Sequence, residues 1–287
     1  MRFCKPGKIR DGLYLLGTKE SCSYLLEGNR ESMIINGGLN YSVSDLLDQF
    51  RQFGIDESKI KKILVLHAHF DHVGIIPYFR QRYPGIEILA SPRGWEILSM
   101  PKAIKTINEF SRLMAERFGR MNVYNHYDLD WDNGFQGLAV SEGDRLDLGQ
   151  MAVEIYETPG HSSCSLSAYV PSVRALFPSD GGGVPFEDTA IISGNSNYTR
   201  FQESVEKLKG FATDYICADH YGYIAGDEAK RFFENTAQKA VEYRAYLEGV
   251  YFKTRDIDTA TMEVTRDFLK ENPEYMIPPK ILQGICG

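Results

Sequence analysis

The stretch of residues 65–74 constrains this chain more than any other, because three histidines and one aspartate fall within six of its residues. The apolar run at 63–66 precedes them and predicts a buried strand, since it is short and rich in branched side chains. A chain that leaves a strand in extended form projects residues i and i+2 to the same side. His67 and His69 are therefore expected to point into one space.

Two further candidate ligands follow in the same loop. Asp71 and His72 stand where the chain is expected to turn into a helix, so they can approach a point beside the first pair. Neutral imidazoles and a carboxylate that converge from one loop suit a borderline metal such as zinc or iron. Half of the six histidines of the chain lie here, which favours a metal site over ordinary loop histidines.

Composition narrows the class of protein. The 287 residues are 43% hydrophobic and 25% charged, which is typical of a soluble globular protein. The net charge of −7 argues against nucleic acid or an anionic membrane as a partner, since both attract positive surfaces. A small-molecule substrate is the expected partner, and a homodimer is left open.

Location is predicted from what the sequence contains. No apolar run approaches the length that spans a bilayer, and the first residues show no apolar signal segment. The five cysteines are scattered and form no CxxC pair, which is typical of reduced thiols. We therefore expect a cytoplasmic protein.

Short strands and helices alternate along the chain in two series, before and after residue ~120. This pattern predicts two similar halves that stack sheet on sheet with helices outside. Ser44 and Ser91 are expected to cap helices, and Thr199-x-x-Gln202 resembles a capping box. The loop at 122–136, which contains His126, is expected to be irregular, and from residue 227 onward the chain is expected to be helical.

Three more ligand-type residues each follow a predicted strand. His161 comes after the strand at 151–157, Asp180 after that at 175–177, and His220 after that at 215–217. Loops at one end of a sheet scaffold commonly carry a functional site. Taken together with the first cluster, these residues are expected to join the same metal site.

The motif His67-Ala68-His69-Phe70-Asp71-His72, followed by Pro159-Gly160-His161, Asp180 and His220, resembles that of the metallo-β-lactamase superfamily. The resemblance covers residues ~10 to 225 and is specific as a set. Within the superfamily, the chain is similar to the thioesterase-like members of alkylquinolone signal response.

The resemblance implies an α+β fold, a four-layer αββα sandwich with a two-metal site at one edge and C-terminal capping helices. Residues 1–226 would form the metallo-β-lactamase-like domain, and residues 227–287 a helical extension that packs on it. By motif, His67, His69 and His161 would bind one divalent ion, Asp71, His72 and His220 the second, and Asp180 would bridge both. The ions would be zinc or iron.

Three features depart from relatives. The second motif position is His69, whereas flavodiiron oxygen reductases have a glutamate there, and no flavodoxin-like domain follows. Asn36 stands where many relatives have an aspartate, so the support of the ligands is expected to differ. The glycine run at 181–183 is expected to open the pocket or loosen its loop.

The site implies a metal-dependent hydrolase in which a hydroxide held between two ions attacks a carbonyl carbon. Asp71 would orient this nucleophile or shuttle its proton. A small thioester or ester is the expected substrate, because the helices at 92–118 and the helical tail would roof the site with apolar side chains, for example Ile104, Phe110, Phe233 and Val250. Two alternatives stay open: a diiron redox or oxygen-binding protein, and a regulatory protein whose metal site is mainly structural.

Overall fold

The computed structural model describes residues 1–278 and 281–282, and its elements are numbered here in chain order. The strands are β1 (Arg2–Phe3), β2 (Gly7–Arg10), β3 (Leu13–Thr18), β4 (Ser21–Glu27), β5 (Ser32–Ile35), β6 (Ile60–Leu64), β7 (Glu87–Ala90), β8 (Leu138–Ala139), β9 (Arg145–Asp147), β10 (Ala152–Glu157), β11 (Leu166–Val170), β12 (Ala175–Phe177), β13 (Val184–Phe186), β14 (Thr189–Ile191), β15 (Tyr215–Cys217) and β16 (Tyr223–Ala225). The helices are α1 (Val43–Phe53), α2 (Ile76–Arg82), α3 (Pro92–Leu98), α4 (Pro101–Arg117), α5 (Tyr198–Leu208), α6 (Asp227–Thr254) and α7 (Ile257–Glu271).

Two seven-stranded sheets form the centre of the molecule. The N-terminal sheet runs β2-β3-β4-β5-β6-β7-β8, and the C-terminal sheet runs β1-β16-β15-β12-β11-β10-β9. In the N-terminal sheet β5, β6, β7 and β8 pair in parallel, and in the C-terminal sheet β12 pairs in parallel with β15. The first strand therefore adds to the sheet formed by the second half of the chain. Strands β13 and β14 form a separate hairpin.

Alternation along the strands explains why the sheets stack. In β5, Met33 and Ile35 point into the core between the two sheets, whereas Ile34 points to the helices outside. In β12, Phe177 joins the same central core and Leu176 faces the outer helices on the other side. Because both faces of each sheet are apolar, each sheet is covered twice. The result is the four-layer αββα sandwich expected from the resemblance.

Two of the three predicted caps need correction. Ser91 does cap α3, because its side chain accepts a hydrogen bond from the Gly94 amide. Helix α1 begins at residue 43 after Ser42, so Ser44 lies within the helix. Helix α5 is capped by Asn197, whose side chain accepts from the Arg200 amide, and the capping box predicted at 199–202 is wrong. Asparagine is an equally good cap, and the pattern alone did not separate the two.

The long helix α6 connects the sandwich to the C-terminal region. Its first half packs through Phe233 and Ala240 against α5 and the outer face of the C-terminal sheet. Further along, Val250 packs against Ala260 and Val264 of α7. A domain boundary at residue 226 stays a prediction, and residues 279–280 and 283–287 of the predicted extension lie outside the described residues.

The loop at 122–136 is irregular, as expected, apart from a short helical turn that ends at Asn125. Trp131 anchors the loop, since its buried indole N–H donates to the Leu98 carbonyl oxygen at 2.9 Å. His126 is exposed and belongs to none of the groups of candidate metal ligands. Across the described part of the chain, no helix combines the length and hydropathy needed to cross a bilayer.

Candidate metal centre

Loops after four strands converge at one edge of the sandwich. The loop after β6 supplies four of the predicted site residues, and the loops after β10, β12 and β15 supply one each. The preceding strand β6 ends at Leu64, two residues earlier than predicted, and the chain then continues buried to the histidines. All seven residues come together in one cluster: His67, His69, Asp71, His72, His161, Asp180 and His220.

Three histidines form the first group, which we call triad one. The Nε2 atom of His67 lies 3.1 Å from Nδ1 of His69. The Nε2 atom of His161 lies 3.1 Å from the same Nδ1 atom. Three ring nitrogens thus surround one point, as tetrahedral metal sites require of three of their ligands.

Triad two consists of Asp71, His72 and His220. The Nε2 atom of His72 lies 3.5 Å from Oδ1 of Asp71, and the Nε2 atom of His220 lies 3.7 Å from Oδ2 of the same carboxylate. Both imidazoles are almost completely buried. The second group therefore combines two nitrogens with one carboxylate.

Asp180 lies between the triads. Its Oδ2 atom is 3.5 Å from Nε2 of His161 in triad one and 3.4 Å from Nε2 of His72 in triad two. Its Oδ1 atom is 3.5 Å from Nε2 of His220. One carboxylate therefore reaches both groups, which is the arrangement that a bridging ligand needs.

Hydrogen bonds outside the centre fix three of the imidazoles. The Nδ1–H of His161 donates to the Ser193 carbonyl oxygen at 2.9 Å, and that of His220 donates to the Glu20 carbonyl oxygen at 2.6 Å. The Nδ1–H of His67 donates to Oγ of Ser179 at 2.8 Å. Because the proton sits on Nδ1, the lone pair of each Nε2 faces the centre.

Asp219 is a functional candidate that the sequence analysis missed. Its Oδ2 atom lies 3.2 Å from Nδ1 of His72 and accepts a hydrogen bond from Oγ of Ser179 at 3.0 Å. Ser179 in turn accepts from His67, so one buried carboxylate supports a histidine of each triad. The signal that could have revealed it is its place directly before His220 at a strand end.

Asn36 shares this supporting role. Its Oδ1 atom lies 3.0 Å from Nδ1 of His72, and its side-chain N–H donates to the Cys22 carbonyl oxygen at 2.6 Å. The amide of Asn36 orients the imidazole of His72 without adding charge. Asp219 supplies the negative charge from the other sheet.

The pKa values of the histidines are shifted in opposite directions in the two triads. In triad one, burial lowers the pKa of all three histidines, and it lowers the pKa of His69 to about 3. In triad two, burial alone would lower the pKa of His72 and His220, but the carboxylates of Asp71 and Asp180 outweigh it and raise the pKa of both. The histidines of triad two therefore keep a second proton to higher pH than those of triad one, and below their pKa a cation has to displace it.

The chemistry of this cluster fits divalent ions. The Nε2 atom of His72 is buried and has no hydrogen-bond partner, which is costly for a polar atom. Carboxylates packed against imidazoles, with supporting hydrogen bonds behind them, are ligands for zinc and for iron. The same ligand set therefore suits either metal.

Glycines let the ligand loops approach closely. A Cβ atom on Gly160, where φ is +134°, would lie 2.2 Å from the backbone nitrogen of Phe201, so only glycine fits beside His161. The glycine run at 181–183 was expected to open the pocket or loosen its loop, and this is wrong. A Cβ atom on Gly182 would lie 2.6 Å from Cβ of Pro178, because the loop is tightly packed.

A cavity of about 340 Å³ adjoins the centre, and we call it the acyl cavity after the group that we propose below to bind there. Asp71, His161, Asp180 and His220 line it on the side of the metal centre. Apolar side chains from α6, α7 and the segment after α7 cover it, among them Tyr243, Leu247, Ala260, Val264, Phe268 and Met276.

The roof predicted from the sequence used the wrong residues. The four side chains named there do not line the cavity within the described structure: Ile104, Phe110, Phe233 and Val250. Phe110 contributes indirectly, because its ring packs edge-on against Phe70, which does line the cavity, with 5.5 Å between centroids. The helical tail does cover the site, but with a later stretch of α6, which includes Tyr243 and Leu247.

Comparison with known proteins agrees with this geometry. The family model described as the metallo-beta-lactamase superfamily matches residues 17–220. The chain belongs to this superfamily. Its members are mainly hydrolytic metalloenzymes.

Individual relatives of this superfamily member are distant. The metallo-beta-lactamase fold-containing protein ST1585 of Sulfurisphaera tokodaii is 24% identical over 207 residues, which are 70% of this chain and 73% of the relative. A hydroxyacylglutathione hydrolase of Rhodopseudomonas palustris is 28% identical over 170 residues, 57% of this chain, and the match spans about half (49%) of that protein. The structure of a metallo-beta-lactamase family protein from Thermus thermophilus superposes with a TM-score of 0.67 at 16% identity and covers 97% of this chain and 92% of that chain.

Proposed function

We propose that this superfamily member is a metal-dependent hydrolase of a small thioester or ester with an apolar acyl group. The observation that carries the proposal is the acyl cavity, which joins apolar walls to the carboxylates of Asp71 and Asp180. Its volume of about 340 Å³ lies in the range of small-molecule sites. Two helices, α6 and α7, cover the cavity, which favours a small substrate over a polymer.

Triad one and triad two would each hold one divalent ion, zinc or iron, with Asp180 as the shared ligand. Two such ions supply Lewis acidity and lower the pKa of a water molecule from ~15.7 toward ~7. Asp219, Ser179 and Asn36 hold the imidazoles behind the ligands. This rigidity keeps the reacting groups aligned, which is a large part of catalysis at such sites.

Asp71 is the proposed catalytic residue. It lines the acyl cavity, and its two carboxylate oxygens lie 3.5 Å and 3.7 Å from Nε2 of His72 and His220. It can accept a proton from a water molecule at the floor of the cavity and orient that water toward a carbonyl carbon. Proton transfer by a positioned carboxylate contributes about 10²- to 10⁴-fold to a rate.

The similarity to hydroxyacylglutathione hydrolases supports a thioester as the substrate. Those relatives are thioester hydrolases by name, and the chain matches about half (49%) of the length of one of them. Within this proposal the substrate is a small molecule, and the acidic net charge of −7 speaks against nucleic acid.

The proposal is tested by hydrolysis of a panel of acyl thioesters and esters. Purified protein is assayed as isolated, after chelation, and after addition of zinc or of ferrous iron to the chelated protein. We expect turnover that chelation removes and one of the metals restores. Two bound irons, no hydrolysis and an oxygen-dependent change in the spectrum would overturn the proposal in favour of a redox protein.

A further inference from the structure

The metal centre adjoins two cavities that are lined by different types of side chain. The first is the acyl cavity beneath α6 and α7, and the second is a cleft of about 330 Å³. Three serines line the second cavity, Ser162, Ser163 and Ser196, and we call it the serine cleft. His161 and Asn195 line both cavities, so each space borders the centre at His161.

Each cavity reaches a different part of the centre. The acyl cavity is lined by Asp71 and His220 of triad two, whereas the serine cleft is lined by His69 of triad one. The shared residue His161 lies between them. A molecule that occupied both cavities would therefore cross both triads.

The walls differ in what they can bind. Most side chains around the acyl cavity are aliphatic or aromatic, which favours an alkyl or aryl group. Two exposed serines, Ser163 and Ser196, offer hydroxyl groups in the serine cleft, and at its edge Nε of Arg93, whose guanidinium also pairs with Glu96, lies 3.5 Å from Oγ of Ser163. Hydroxyls and a guanidinium favour a polar group with hydrogen-bond acceptors.

We propose that the substrate has two arms: an apolar acyl arm that binds in the acyl cavity and a polar thiol or alcohol carrier that leaves through the serine cleft. This inference rests on the proposed function. In the reaction a bond forms between the water oxygen and the acyl carbon, and the bond from that carbon to the carrier sulfur or oxygen breaks. The carrier takes up the proton, and the carboxylic acid remains in the acyl cavity.

The two arms predict two separable effects on binding. Each methylene added to the acyl arm should tighten binding about threefold to fourfold until the acyl cavity is full. The polar carrier should add a contribution that does not depend on acyl length. If both arms shared one cavity, a change in that cavity would alter both effects together.

Binding can be measured without turnover. The probes are S-methyl-, S-hexyl- and S-decylglutathione, which are thioethers and cannot be hydrolysed, together with methyl decyl thioether as a carrier-free compound. Calorimetry is carried out on the metal-loaded protein and on the chelated protein. We expect the dissociation constant to fall with alkyl length in both, and S-decylglutathione to bind about tenfold or more tightly than methyl decyl thioether.

Variants assign each effect to its cavity. Thr261→Trp fills the acyl cavity and should abolish the dependence on alkyl length, with Val264→Phe as a second variant in the same wall. Ser196→Trp fills the serine cleft and should remove the preference for glutathione while the dependence on length persists. Exposed positions outside both cavities give the matched controls, Val241→Trp on α6 and Ser172→Trp in a turn.

Three results would overturn the proposal of two arms. Binding could be independent of alkyl length, Ser196→Trp could behave like Ser172→Trp, or the two cavity variants could show exchanged effects. Hydrolysis of the matching acyl thioesters is measured separately. Length-dependent binding without hydrolysis of any of them would leave the two cavities assigned and would instead contradict the proposed hydrolase function.

Discussion

Triad one and triad two lie side by side but differ in charge. Triad one contains only imidazoles, whose pKa values burial lowers, so its nitrogens are free to bind a cation at most pH values. Triad two contains the carboxylate of Asp71, and the acidic groups around it raise the pKa of its two histidines. The difference teaches that seven candidate ligands in one cluster need not form two equivalent sites, and the proposed catalytic role of Asp71 depends on triad two.

The largest effect is expected for Asp71→Asn. The amide keeps the size of the side chain but cannot accept a proton, so turnover of the metal-loaded protein should fall about 10²- to 10⁴-fold. Binding of a non-hydrolysable thioether should change little. Steady-state kinetics, calorimetry and elemental analysis are needed on the same preparation, and near-normal turnover with full metal content would rule out the proposed role of Asp71.

Removal of one ligand from each triad compares the two sites directly. We expect His69→Ala to lower the affinity for the ion of triad one, and His220→Ala to lower it for the ion of triad two, with about one ion per chain remaining in each case. Elemental analysis after dialysis measures this. His126→Ala is the matched control, because this exposed histidine lies outside the cluster. Loss of both ions in both variants would show that the triads bind metal as one unit.

Asp219→Asn should weaken both sites, since this carboxylate contacts His72 directly and His67 through Ser179. Loss of such a supporting carboxylate typically lowers metal affinity about 10- to 100-fold. Competition with a chromogenic chelator measures the affinity. Ser179→Ala removes the contacts of Ser179 to His67 and Asp219 but leaves the direct contact between Asp219 and His72, so it should weaken the ion of triad one more than that of triad two. Equal effects of both variants on both ions would contradict this connection.

The two triads are also expected to respond differently to pH, by the smallest amount in this series for one pH unit and one proton. Histidines of triad two have raised pKa values, so between about pH 7 and about pH 5 a proton competes with the metal and affinity should fall about tenfold per pH unit for each proton displaced. Triad one should keep its affinity over this range, because its histidines have lowered pKa values, about 3 for His69. Metal titrations at a series of pH values measure this, and parallel loss of both ions would contradict the assignment of charge.

The sequence predicted the members of the cluster better than the residues that support them. Histidines and aspartates at strand ends carry a specific spacing, and strand ends meet at one edge of a sheet, so their convergence follows from local pattern. The spacing of Asp219 in the sequence gives no such signal. Its contact with His72 joins two loops that follow strands of different sheets. A carboxylate next to a candidate ligand in sequence points inward only once the fold is known.

The side chains that cover the acyl cavity show a similar limit of prediction from sequence. An apolar stripe on α6 was visible in the sequence, yet Phe233 packs on the sandwich while Tyr243 and Leu247, farther along the helix, line the acyl cavity. Which part of a long helix covers a site depends on where its first turns dock. The presence of a helical cover was therefore predictable, but the residues that line the cavity were not.

The central claim is that the two triads together hold two ions that support hydrolysis. We would measure the metal content of protein purified without added metal, by elemental analysis, together with the rate of acyl thioester hydrolysis by the same sample. We expect two zinc or iron ions per chain. Turnover should scale with the occupancy of the ion in triad two. Full turnover with one ion or none would contradict the claim.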